Sequence, residues 1–221
     1  MKTPVNKEIL QNHWNYSWWK YLFLVVIAIF GWNLIYTTTA YRPPENKKVV
    51  LLADCMGKDV QLDAYLERVR QNEMADMEQV NSMLVFMDET YGEMQLSTYI
   101  AAGEGDIYVL NKSHFQAYAS QGAFMPLETL EGVVEYCEAQ GMDLRKGWRV
   151  DSELHERHLY GIPMSYLPHL KSFLYTTEEC YLSIIVNNQN QENVEKLFNI
   201  LLRDMVASAA TPTDLLTPPA Q

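Results

Sequence analysis

The chain has 221 residues, 48% of them apolar, and a formal net charge of −11. That length fits one domain with an appendage, and the apolar fraction excludes a wholly disordered chain. The acidic balance argues against nucleic acid as a partner, because phosphate binding needs a basic surface.

The first element in chain order is WWKYLFLVVIAIFGWNLIYTTTAYR, residues 18–42, with no charge between Lys20 and Arg42. A bilayer core of ~30 Å takes about 20 helical residues, so residues 21–41 are expected to span it as a helix. Trp18, Trp19, Tyr21, Tyr36 and Tyr41 mark its two ends, as amphipathic rings do at the headgroup layer. Thr38 and Ala40 make a poor cleavage site, and a long leader precedes the apolar run, so an uncleaved signal-anchor is expected. LADC at 52–55 is no lipobox, since it lies far beyond the apolar run and Asp54 precedes the cysteine. Lys2, Lys7 and Lys20 on one flank nearly balance Arg42, Lys47 and Lys48 on the other, so the flanks do not set the orientation. From Arg42 onward there are 14 Lys+Arg against 27 Asp+Glu, a net of −13, which anionic headgroups repel.

Residues 42–48, RPPENKK, read as a stiff linker, and an α/β domain is expected over 49–206. VVLLA at 49–53 is a strand buried on both faces. The next run carries Leu62, Tyr65, Leu66 and Val69 at helical spacing. A second strand is expected over 81–88, then a helix through MQLSTYIAA that ends at Gly103 or Gly105. A third strand over 106–110 precedes a helix over 112–120, with Gly122 as its stop, and a further helix covers 130–139. Strands over 158–164 and 180–186 follow, then an amphipathic helix using Val194, Leu197, Phe198, Leu201 and Leu202. Alternating strands and helices at short spacing imply right-handed crossovers and a mostly parallel sheet with helices on both faces. Residues 207–221 are expected to form a disordered tail. Cys55, Cys137 and Cys180 are odd in number, without C-x-x-C, and read as small buried residues rather than a disulfide framework.

Three stretches in this order resemble bacterial extracellular solute-binding proteins, the ligand-capturing partners of ABC importers, with a type II periplasmic-binding-protein-like fold. The first runs from Ala101, Ala102, Gly103 and Asp106 to Gly122, Phe124, Pro126 and Leu127. The second is LYGIPMS at 159–165, and the third is YLSIIVNNQNQENVEKLFNILL at 181–202, with Asn187, Asn190, Glu192 and Val194 at the matching positions. The resemblance implies an extracytoplasmic lobe on a membrane stalk. Its partners would be the bilayer through residues 21–41, an ABC permease or other envelope protein, and a small solute such as a sugar or peptide. The departure is internal: only 165–179 stands where the family carries a second lobe, so one truncated lobe is expected.

In doubly wound sheets ligands sit beyond the carboxyl ends of the strands. That places Asp54, Asp88, Glu89, Tyr91, Asn111, Lys112, Ser113, His114, Ser165 and Tyr166 on the candidate ligand-binding edge. Tyr91 and Tyr166 would stack on a sugar ring, and Asp88, Glu89 and Asn111 would bond hydroxyls. Helix capping by Asn111 or Ser113 is the competing explanation. One lobe cannot enclose a solute, so weak capture or a protein partner on the same face are both open. SELHERHL at 152–159 is not H-E-x-x-H, and neither a P-loop nor G-x-S-x-G occurs, so no metal, cofactor or catalysis is expected. A structural or regulatory envelope protein with no small ligand is the alternative function.

Overall fold

The computed structural model describes residues 7–41, 43–87, 91–152, 155–176, 178–186 and 190–207. It forms two compact units, Met1–Arg42 and Pro43–Gln221. Asp88, Glu89, Asn187 and the tail beyond residue 207 lie outside the described residues.

The first unit is one helix, α1 (Lys7–Thr39), which begins well before the apolar run. Its stretch His13–Thr39 is long and apolar enough to cross a membrane. The apolar side chains there are exposed, Phe30 and Trp32 to 72% each. The threonines near its end turn their hydroxyls back on the helix: Thr37 Oγ1 donates to the Asn33 carbonyl at 2.9 Å, Thr38 to Leu34 at 2.8 Å and Thr39 to Ile35 at 2.6 Å. Such bonds leave no hydroxyl unsatisfied in an apolar medium.

The second unit is an α/β domain. Its strands are β1 (Lys48–Asp54), β2 (Gln79–Val85), β3 (Ile107–Asn111), β6 (Ile162–Pro163) and β7 (Cys180–Ile184), in the order β2-β1-β3-β7-β6. The sheet is mixed but rich in parallel strands, as expected, with β7 alone running against the other four. β1 pairs in parallel with β2 and β3, whereas β7 runs antiparallel to both β3 and β6. The first two crossovers carry the helices α2 (Val60–Asn72) and α3 (Gly92–Ala102), which return the chain to start each strand in the same direction. The segment between β6 and β7 holds only a 3-10 turn and α6 (Pro168–Phe173), and β7 enters beside β6 in the opposite sense.

The side chains divide by alternation. Val49, Leu51 and Ala53 of β1, Ile107 and Val109 of β3, and Leu182 and Ile184 of β7 join one core. Against it pack α2 through Leu62, Tyr65, Leu66 and Val69, and α7 (Gln191–Met205) through Val194, Leu197, Phe198 and Leu201. Leu52, Tyr108, Leu110 and Tyr181 point to the other face. There Leu96 of α3 and Phe115 of α4 (Lys112–Ser120) cover them, with Phe115 stacked on Tyr181 at 4.3 Å. Both faces are apolar and buried, which is why these strands read as continuous hydrophobic runs.

Two expected elements come out shorter or divided. The helix expected over 130–139 is α5 (Val133–Ala139). The strand expected over 158–164 divides into β5 (Arg157–Leu159), paired with β4 (Trp148–Val150) in a separate hairpin, and β6 in the main sheet. The division falls at Gly161, where an added Cβ would lie 2.6 Å from the Phe115 ring and 2.9 Å from Ser183 Oγ. The backbone must pass too close to α4 and β7 there to carry a side chain.

Candidate functional site

The connection from β1 passes to β2 on one side, and the connection from β2 returns to β3 on the other. The carboxyl ends of β1 and β3 therefore flank the switch point of the sheet. Asp54 closes β1 and Asn111 closes β3, and α4 starts directly after Asn111.

Asn111 caps α4, its Oδ1 accepting the His114 N–H at 3.0 Å and the Ser113 hydroxyl at 2.6 Å. The cap turns His114 back toward β1. Its Nδ1 lies 2.5 Å from Asp54 Oδ2; the Asn111 Nδ2 donor is also near, at 2.9 Å, but can bond Nδ1 only when that nitrogen carries no proton. A proton on Nδ1 directed at Asp54 satisfies the carboxylate, which is only 4% exposed. The bond to Asp54 raises the His114 pKa above its ordinary value, outweighing the desolvation that opposes it. The Asn111 N–H adds a longer contact to the same carboxylate oxygen at 3.4 Å.

This network borders an open cleft of about 450 Å³. Asp54 and Asn111 line it with Cys55, Thr176 and Glu178, and Met56, Phe86 and Met87 supply apolar wall. A smaller recess of about 200 Å³ shares Thr176 and Glu178 and includes Ser165.

The other sequence candidates fall in several places. Lys112 lies 3.7 Å from Glu179, whose second oxygen is held by Lys146 at 2.7 Å. Tyr91 precedes α3 and is 62% exposed. Tyr166 sits in the 3-10 turn Met164–Tyr166 and packs partly into the first core. Asp88 and Glu89 lie outside the described residues. Sequence reasoning did not single out Phe86, Met87, Thr176 or Glu178. Phe86 and Met87 fall within the strand expected over 81–88, but β2 ends at Val85. Thr176 and Glu178 belong to 165–179, which has no periodicity to place it.

The second histidine cluster has a structural use. His158 Nδ1 meets Glu128 Oε1 at 2.7 Å, and Glu128 Oε2 accepts the Leu159 N–H at 2.9 Å. Together they tie β5 to the 3-10 turn Leu127–Thr129. Among the described residues no group of three or more His, Cys, Asp or Glu is placed to hold a metal ion. The three cysteines are free and buried, and burial pushes the Cys55 and Cys137 thiols up to about 11.

No family model matches the chain, and no curated protein matches it. Solved structures are similar over part of it. One is an extracellular solute-binding protein family 1 member from Alicyclobacillus acidocaldarius, at 17% identity and a TM-score of 0.40, over 56% of this chain and 28% of that one. A second is a maltose-bound protein of T. maritima, at 17% identity and a TM-score of 0.39, over 52% and 28%. A third is an ABC substrate-binding protein from Listeria monocytogenes in complex with cycloalternan, at 17% identity and a TM-score of 0.37, over 52% and 28%. This chain spans less than a third of the length of each of these proteins.

Proposed function

We propose that this protein is a membrane-anchored, extracytoplasmic solute-binding-protein-like module whose binding site is the switch-point cleft. The observation that carries the reading is the Asp54–His114 pair, held by the Asn111 cap, set at the adjoining carboxyl ends of two parallel strands and bordering a cleft with apolar walls. The motif order through Gly103, Asp106 and Gly122 supports the same class. In this reading residues 21–41 cross the bilayer, residues 1–20 stay cytoplasmic, 42–48 is the linker, and 49–206 is the lobe. The exposed apolar surface of α1 supports the anchor, since lipid is the medium that accepts it. The partners are the bilayer, a sugar-like or peptide solute, and an ABC permease or other envelope protein. No catalytic step is assigned.

The test is thermal unfolding of the full chain in detergent with millimolar sugars, polyols and dipeptides. A ligand at ten times its Kd stabilises by about 1.4 kcal/mol, and Asp54→Ala should abolish the shift. A flat response to every compound sinks solute capture. A second reading, an envelope interaction protein without a small ligand, is favoured by the 77% exposure of Met56 and 60% exposure of Phe86 at the cleft.

A further inference from the structure

Among the described residues the domain has eight exposed large apolar side chains. Three of them, Met56, Phe86 and Tyr175, are 56–77% exposed and lie at the cleft or directly beside it. Met56 and Phe86 line it together. Tyr175 is tied to the Met56 loop by two backbone bonds, Met56 N–H to Tyr175 O at 3.2 Å and Tyr175 N–H to Gly57 O at 2.8 Å. Gly92 at the start of α3 sits against Phe86 and Met87, with Tyr91, 62% exposed, directly before it. A Cβ on Gly92 would lie 2.7 Å from both Phe86 O and Met87 Cα. The result is one apolar rim continuous with the cleft.

Of the carboxylates at this edge Asp54 is already paired with His114, and Glu178 is the one left to meet an incoming cation. Asp54 and Glu178 line the cleft, with no Lys or Arg among the described lining residues. Lys58 bonds Asp63 at 2.7 Å and Ser82 Oγ at 2.7 Å, Lys112 faces Glu179, and Lys171 lines the adjoining recess that Glu178 also borders. Taking the cleft as the binding site, we infer that its occupant is an extended segment of a partner protein carrying an aromatic or aliphatic side chain beside Lys or Arg. The apolar side chain covers Met56, Phe86 and Tyr175, and the cation meets Glu178 at the cleft or lies over the Phe86 or Tyr91 ring. A small solute would fill the cleft and leave Tyr91 and Tyr175 in water. An anionic membrane surface is disfavoured by the net charge of −13 from Arg42 onward.

The test uses the full chain in lipid nanodiscs, with empty nanodiscs as blank, and fluorescent peptides of about eleven residues read by anisotropy. The probe set has a central Phe or Leu flanked by Lys and Arg. Matched sets replace the basic residues with Glu or the apolar residue with Ser. Saturable binding is expected for the apolar–basic set alone. Phe86→Ser and Tyr175→Ser should each weaken it at least about tenfold, and Glu178→Gln should reduce its salt dependence. Val150→Ser should change nothing. Val150 adjoins Asp151, which meets Gly122 at the opposite end of α4 from His114. Melting temperatures of the variants, all at exposed positions, check that each is folded. Equal binding of the Glu-flanked set, indifference to Phe86→Ser, or binding only to phosphatidylglycerol vesicles would overturn the inference. If sugars or dipeptides stabilise the chain and no peptide of the set binds, the partner inference fails while the cleft stands. If nothing binds, both fail.

Discussion

Replacing Asp106 with Asn should make the protein more stable at neutral pH. Asp106 stands at the entry to β3 and bonds β1 twice. Its N–H donates to the Val50 carbonyl at 2.9 Å, and its Oδ2 accepts the Val50 N–H at 2.8 Å. Burial pushes its carboxyl up to about 6, against the opposing pull of the Val50 bond and of Lys48. The folded state thus holds the proton more tightly than the unfolded chain, where the ordinary value is 3.8. This contribution to stability is complete below about pH 3.8 and is lost as pH rises through 6. A shift of about two units corresponds to at most about 3 kcal/mol, reduced by the partial exposure of the side chain. Asparagine keeps an acceptor for the Val50 N–H and removes the titration. Relative to the native protein, Asp106→Asn should be close to neutral at pH 3.5 and stabilising at pH 7.5. The gain in melting temperature should be several degrees, since 1 kcal/mol is about 2–4 °C for a domain of this size. Circular-dichroism melts of both proteins between pH 3.5 and 8 measure the difference. A difference that does not vary with pH, or a variant less stable at pH 7.5, would refute the account.

Other consequences are open to direct measurement. The His114 ring should titrate above its ordinary value of 6.5 in a histidine-resolved NMR titration, and Asp54→Asn should lower it. The pair's stabilisation is therefore present below pH 6.5 and lost as pH rises through the folded value; a ring titrating at or below 6.5 contradicts this. Gly122 has φ of +69°, and a Cβ there would meet Asp151 Oδ2 at 2.6 Å, whereas Gly132 has φ of +77° and open space around it. Urea unfolding should show Gly132→Ala costing about 1 kcal/mol and Gly122→Ala about 2–3 kcal/mol, the difference being the contact. Equal costs would remove the contact from the explanation. For orientation, Val150→Cys creates a thiol at a position 53% exposed while the native cysteines are buried. A membrane-impermeant maleimide should label it on intact cells, and labelling only after lysis would place the domain on the cytoplasmic side.

The strands and helices of the domain were largely legible in the residues. VVLLA read as a two-face buried strand because both faces of the sheet are covered, and Leu62, Tyr65, Leu66 and Val69 formed a stripe because one side of α2 meets the core. The boundaries slipped where local pattern misled. Phe86 and Met87 prolong the apolar run of β2, yet they line the cleft beyond its end, so an apolar residue was credited to the sheet when it belongs to the rim. Asp54, Asn111 and His114 were recognisable as edge residues from their place after strands. That Asn111 caps α4 and so brings His114 to Asp54 is a matter of three-dimensional proximity between residues far apart in sequence.

Periodicities of 2 and 3.6 are short-range properties, written residue by residue into the chain, and from them come the elements, the apolar segment of α1 and the acidic character of the domain. Strand order and direction depend instead on which distant segments pair. The antiparallel entry of β7, the break at Gly161 and the contribution of Thr176 and Glu178 to the cleft were therefore decided only when the chain packed. The cleft owes its existence to that packing, because its floor comes from the ends of β1 and β3 and its walls from loops that no local pattern joins.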